Sequence, residues 1–343
     1  MLRLALALGV LAQHLSGATL GFWLTPNWRG ASVHWLSGHP WPIGNMSVIG
    51  FFMLSGFLVQ EISRRYELRY WRGYVRFLLA RCARIYPLYW AVLLPTLLAW
   101  AVIDGVSLYP LPKDFLGQLL LWPLVWTAQI RHAFLFDFTA PWLGPSWTLA
   151  VDLLCYPIGG LLAGRVRLIL PLLLLCVASI PLEGVVFYTS LQENLAIFLL
   201  GMLARQYADR ILCQRSWVLV GVWMLWMYAW ATPFGMFLGL QVAVFVATFP
   251  VLLSHGFRSR RTGLDRLLGN STYALYLVQY PAISALKPFL DTMGELRWMV
   301  WVLIVVAALT IVFTFVESCF ERWRYTLIVK SDGLLSQGAR YGN

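Results

Sequence analysis

The sequence predicts an all-α, polytopic integral membrane protein of about ten transmembrane helices, on three observations. Of 343 residues, 60% are hydrophobic and only 12% are charged, against roughly 25% charge in ordinary soluble domains, which leaves too little charge to cover a globular surface. Apolar stretches of about 17–25 residues recur along the whole chain, each long enough to cross a hydrocarbon core. The 26 Lys and Arg residues fall in short segments between those stretches, as the positive-inside rule distributes them. The 18 Trp and 15 Tyr suit the aromatic belts at the two interfaces.

The elements follow in order. Met1-Leu2-Arg3 and the apolar run behind it open like a cleaved signal peptide, but Gln13 and His14 interrupt the run and no small-x-small site follows. Residues 3–21 are therefore read as the first span. Further spans are expected at 44–62, 83–103, 145–164, 168–184, 191–207, 216–231, 235–254, 268–289 and 298–319. The apolar stretch Leu116–Gln129 is about fourteen residues long and contains Pro123. That suits a re-entrant or interfacial segment before the fourth helix better than a crossing. Charge supports this choice. With ten spans and both termini cytoplasmic, only Arg29, Lys113, Arg131, Lys287 and Arg297 lie outside, and the other basic residues lie inside. A crossing at 116–129 would invert every later loop and spoil that split. Residues 1–320 then form one membrane-embedded domain and 321–343 a short, mobile cytoplasmic tail.

The net charge of +11 forms no basic face and accompanies no nucleic-acid motif, so the expected partner is the lipid bilayer and not nucleic acid. Cys82, Cys155, Cys176, Cys213 and Cys319 are scattered without metal-ligand spacing and are odd in number. They are read as apolar filler, with no metal and no disulfide framework.

Four places are able to carry chemistry. Arg3 and His14 are eleven residues apart, which returns to within about 20° of one helix face some 16 Å along the axis. An ionisable group midway through a bilayer is costly and by default functional, although a neighbouring backbone group would also satisfy a lone His. Ser55 and Gly56 in the second span allow close helix approach. Arg81 and Arg84 sit about 60° apart on a helix, a fork suited to phosphate oxygens, or simply to lipid headgroups. Asp152, several residues into the fourth span, needs a partner, and His14 is one candidate because a carboxylate can fix an imidazole's tautomer.

Taken together, these segments resemble membrane acyltransferase family 3, the bacterial O-acetyltransferase type. The features that carry the resemblance are Arg3/His14, Phe51-Phe52-Met53-Leu54-Ser55-Gly56-Phe57-Leu58, Arg81/Arg84 before Ile85-Tyr86-Pro87, the Trp147–Tyr156 element, Asn194–Gly201, Gly269–Pro281 and Val316-Glu317. They keep the family's order and spacing over residues 1–320. Asp152 stands where the family usually has the first Glu of a pair, Leu153 replaces the second, and Gln279 occupies a position often held by His.

The resemblance implies an acyl-coenzyme A donor, acetyl-CoA by family habit, used from the cytoplasmic side of a bacterial inner membrane. The implied acceptor is a hydroxyl of a cell-surface or lipid-linked carbohydrate. It further implies that Arg81 and Arg84, with Arg3, hold the donor's phosphates. His14 would serve as general base or as a transient acyl carrier, and Asp152 would orient the His14 ring or help bind the acceptor. Ser55, Trp147, Tyr273 and Gln279 are the expected substrate contacts. The competing class is a transporter or flippase of a lipid-linked glycan, against which stands the lack of an internal two-fold repeat. A non-catalytic membrane scaffold would leave His14 and Asp152 unexplained.

Overall fold

The computed structural model describes residues 2–18, 43–63, 66–68, 70–103, 120–121, 146–179, 191–208, 221, 245–253 and 263–338. Among them every regular element is helical. The main helices are α1 (Leu2–Ala18), α2 (Ile43–Ile62), α3 (Trp71–Ile103), α4 (Trp147–Leu162), α5 (Val166–Ala178), α6 (Leu191–Gln206), α7 (Gly263–Leu286) and α8 (Glu295–Gly338). A further helical stretch covers 245–253. The expected span at 216–231, apart from residue 221, and the first part of 235–254 lie outside the described residues.

Within α3 and α8, the stretches Trp71–Ala99 and Leu296–Glu321 are long and apolar enough to cross a bilayer, and shorter apolar helices accompany them. Exposure shows what surrounds them. Leu296, Val300, Ile304, Ile311 and Phe315 recur along one side of α8 and stand open, Leu296 at 76%. A continuous apolar face of this kind is stable against lipid tails and not against water. This is a membrane protein.

Packing sets the direction of each helix. The Gly44 amide donates to Gln13 Oε1 at 3.2 Å and Gly50 faces Leu6, so α1 and α2 are antiparallel. Tyr74 donates to the Pro157 carbonyl at 3.2 Å, and Arg81, further along α3, lies over the ring of Tyr156, earlier in α4, so α3 and α4 are antiparallel. The segment 116–129, expected not to cross, lies between them in the sequence. Of that segment only 120–121 are described. Leu121 is fully buried, and the Leu120 carbonyl accepts from Tyr86 at 2.6 Å.

The closest helix approach joins α2 to α6. A Cβ added to Gly56 would stand 1.9 Å from the Phe198 carbonyl oxygen, and one added to Gly201 would stand 1.9 Å from that of Met53. Backbone meets backbone there because neither helix has a side chain in the way. Below this crossing Gln60 donates to Gln206 at 3.0 Å, and Arg205 pairs with Glu61. The two helices therefore run in the same direction. Gly159 of α4 closes on Phe198 from the side.

Helices α7 and α8 form a hairpin through the 3-10 turn Lys287–Phe289 and the short helix Leu290–Met293. Gly294 takes φ +75 at its corner, a conformation that favours glycine, and Trp298 Nε1 donates to the Leu286 carbonyl at 2.6 Å. The core has two parts. The larger centres on α2, α3, α4 and α6, and the smaller joins α1, α7 and α8 around Trp298 and Val302.

Two boundaries differ from expectation. The third helix begins at Trp71, not at 83, so Arg81 and Arg84 lie well inside a continuous helix that also contains Pro87 and Pro95. Both prolines are accommodated, as they are where neighbouring groups re-satisfy the freed carbonyls. The tail expected to be mobile continues α8 as helix to Gly338.

Candidate active site

Helices α1, α2, α3, α4 and α7 enclose a cavity of about 140 Å³. Its charged lining residues are Arg3, Arg81, Arg84 and Asp152, three cations against one anion. Among the described lining residues the cations outnumber the anion, and guanidinium groups converging on one pocket suit an anionic guest. The helix directions order the remaining lining. Gly269, Leu58 and Tyr156 lie toward the arginine end, and Ser55, Thr272 and Tyr273 occupy the middle. Val48, Phe51, Thr148 and Tyr276 lie toward the far end.

Arg81 is held by packing and Asp152 by hydrogen bonds. The Arg81 guanidinium lies between two aromatic faces, 5.3 Å from the Phe77 ring centroid and 5.2 Å from that of Tyr156. Arg84 is one turn further along α3, and Tyr273 of α7 ties the two helices by donating to the Ile85 carbonyl at 2.9 Å. Glu317 of α8 is near enough to Tyr273 to act on it electrostatically.

Asp152 projects from the second turn of α4. Its Oδ2 accepts from Ser55 Oγ at 3.2 Å and from the Tyr156 hydroxyl at 3.3 Å. Its other oxygen, Oδ1, is buried without a protein partner, and a buried carboxylate oxygen in that state is ready to accept from a bound hydroxyl or amide. Toward the far end, Thr148 and Tyr276 close α4 onto α7 by a 2.6 Å hydrogen bond, and Phe51 packs edge-on against Tyr276.

The cavity thus brings together six of the residues singled out in the sequence: Arg3, Ser55, Arg81, Arg84, Asp152 and Tyr273. Three others sit elsewhere. His14 packs edge-on against Tyr280 with ring centroids 5.2 Å apart, one turn of α7 beyond Tyr276, and its Nδ1 is buried without a partner. Gln279 is fully buried, and its Nε2 donates to the Tyr276 carbonyl at 3.3 Å. Trp147 packs beside Phe52, with ring centroids 6.3 Å apart. The partners found for the Asp152 carboxylate are Ser55 and Tyr156, with Arg81 acting on it electrostatically.

Tyr156, Thr148 and Tyr276 were not singled out from the sequence. The signal for Tyr156 was present, since it lies one turn after Asp152 on the same face. The Thr148–Tyr276 pair joins residues 128 apart and leaves no local trace. Among the described residues, no three His, Cys, Asp or Glu side chains gather at metal-binding range.

A family model described as an acyltransferase domain, acyltransferase family 3, matches residues 1–317. No curated protein and no solved structure matches the chain.

Proposed function

Starting from the fact that the chain belongs to acyltransferase family 3, we propose that it transfers an acyl group from acyl-CoA on the cytoplasmic side to a hydroxyl of a cell-surface or lipid-linked carbohydrate. The observation that carries this reading is the anion-seeking cavity, with Arg3, Arg81 and Arg84 on its wall. Guanidinium forks match phosphate oxygens, and acyl-CoA is a phosphate-rich acyl donor. The cavity's size argues for a small acyl group. About 140 Å³ is close to the roughly 150 Å³ of an engineered apolar cavity that takes benzene, room enough for an acetyl group.

In this reading the acceptor hydroxyl binds at Asp152, donating to Oδ1, while Ser55 and Tyr156 keep Oδ2 engaged. The hydroxyl oxygen attacks the thioester carbonyl, the carbon–sulfur bond breaks, and the hydroxyl proton leaves to a base. His14 is that base, reached when the hydroxyl turns from Asp152 and the Thr148–Tyr276 contact opens, or it carries the acyl group on its ring before the acceptor takes it. Its place one turn beyond Tyr276 makes the Thr148–Tyr276 hydrogen bond the barrier between the cavity and the imidazole. Both termini are cytoplasmic in this reading, as the distribution of Lys and Arg argues, and the bilayer is the bacterial inner membrane that the family resemblance implies.

The test is mass spectrometry of surface and lipid-linked glycans from cells with and without the gene. Acyl groups that disappear with the gene and return with the wild-type chain support the transfer. Unchanged acylation together with an altered amount of surface glycan would favour the flippase class instead.

A further inference from the structure

Tyr156 touches two opposite charges of the cavity at once, Arg81 and Asp152. Its ring face lies 5.2 Å from the Arg81 guanidinium, and its hydroxyl donates to Asp152 Oδ2 at 3.3 Å. It is itself held from two further sides, edge-on by Phe77 and by Phe198, with centroids 6.3 Å away in each case. We propose that Tyr156 is a positioning residue that fixes the anion-binding arginine and the hydroxyl-binding carboxylate relative to one another, so that donor and acceptor meet in one geometry.

The physical case has two parts. Arg81 and Asp152 are opposite charges in one small cavity, and left to themselves they would close into a direct ion pair. That would occupy the donors needed for phosphate and the oxygen needed for a hydroxyl. An aromatic face takes the guanidinium by its plane and leaves the N–H groups at its edge for a guest. A phenolic O–H together with Ser55 saturates one carboxylate oxygen and leaves the other open. Tyr156 supplies both contacts from one rigid ring, with only two side-chain torsions to order. Phenylalanine would make only the first contact and leucine neither. This assignment rests on the proposed use of the cavity for an anionic donor and a hydroxyl acceptor.

The experiment uses the full chain purified in detergent, and the same chain in its native membranes, as wild type, Tyr156→Phe and Tyr156→Leu. Affinity is measured by calorimetry with two probes, coenzyme A and inorganic pyrophosphate. Transfer is followed as acetyl label passing from acetyl-CoA into the membrane glycan fraction. Tyr156→Phe should bind both probes within about two-fold of wild type, because the ring face remains, yet transfer should fall roughly ten-fold or more with the loss of a hydrogen bond to a charged group. Tyr156→Leu should lose transfer and also bind both probes roughly ten-fold more weakly. A merely structural role would move both readouts together in both variants.

Full transfer in Tyr156→Phe, or wild-type probe affinity in a folded Tyr156→Leu, overturns the assignment. If wild type binds pyrophosphate but not coenzyme A, the donor reading falls, and the role of Tyr156 is judged on the pyrophosphate affinities alone. If wild type binds neither probe, both are overturned.

Discussion

Replacing Gly56 by Ala tests the crossing on which the site is built. The added Cβ would stand 1.9 Å from the Phe198 carbonyl oxygen, and real Cβ atoms essentially never approach a heavy atom within 3.0 Å. Helices α2 and α6 must therefore part locally by about 1.1 Å, since a backbone carbonyl has no rotamer to swing aside. Overpacking of this kind costs about 1–3 kcal/mol. Ser55 precedes Gly56 and donates to Asp152 at 3.2 Å, so a shift of about an ångström carries it beyond hydrogen-bond range, for which 3.6 Å is already too long. Loss of a hydrogen bond to a charged group adds roughly 1.5–3 kcal/mol. The expected total is about 2.5–6 kcal/mol, with acyl transfer reduced as well because Asp152 loses one of its two anchors. The assay is thermal unfolding in detergent alongside Gly269→Ala, whose Cβ meets nothing within 4 Å and which gains helix propensity. Gly269→Ala should melt at or above wild type, and Gly56→Ala several degrees below. Equal melting of the two variants would refute the backbone contact.

Three further predictions concern the site and the topology. His14→Gln keeps hydrogen-bonding capacity but cannot serve as an imidazole base; transfer should fall by about 10²–10⁴ at near-normal melting temperature, and retained turnover would remove His14 from the chemistry. Arg81→Lys combined with Arg84→Lys keeps the charge but not the planar fork, so coenzyme A affinity should drop while insertion is unchanged; unaltered affinity would assign the pair to topology alone. Reporter fusions at Lys113 and Phe138 should report the outer side and one at Asn343 the cytoplasm, as the basic-residue split requires; a cytoplasmic signal at Phe138 would overturn the ten-span arrangement.

What the sequence could reveal depended on whether the signal was local. Apolar run length located the helices, yet it placed the start of α3 twelve residues late, because Arg72, Arg76, Arg81 and Arg84 break the hydropathy of a helix whose other faces are apolar and partly exposed. Pro87 and Pro95 sit inside that helix, as the expected span at 83–103 already placed them. The end of α8 was missed for the opposite reason: Glu321, Arg322 and Arg324 end the apolar run without ending the helix. For the site, residue chemistry pointed to Arg3, Arg81, Arg84 and Asp152, the family resemblance added Ser55 and Tyr273, and the fold gathers them in one cavity. It could not reveal distances between helices. The sequence allowed a His14–Asp152 pair, whereas the fold gives Asp152 the Ser55 and Tyr156 hydroxyls and sets His14 against Tyr280. Thr148 and Tyr276 were invisible because a hydroxyl pair across 128 residues has no periodicity to betray it.

The glycine crossing of α2 with α6 also has a history in time. Gly56 and Phe198 are 142 residues apart in the chain, and synthesis at about 5–20 residues per second needs roughly 7–28 s to cover that distance. During that interval α2 has been made and its natural neighbour has not. The smooth strip around Gly56 must wait against lipid, or against whichever early helix drifts past, and α1 and α3 are the first to arrive. The crossing therefore closes late, once α6 has been made and meets the strip around Gly56. A ribosome stalled before residue 191 would leave a nascent chain that already contains every arginine of the cavity and no enclosure to hold them.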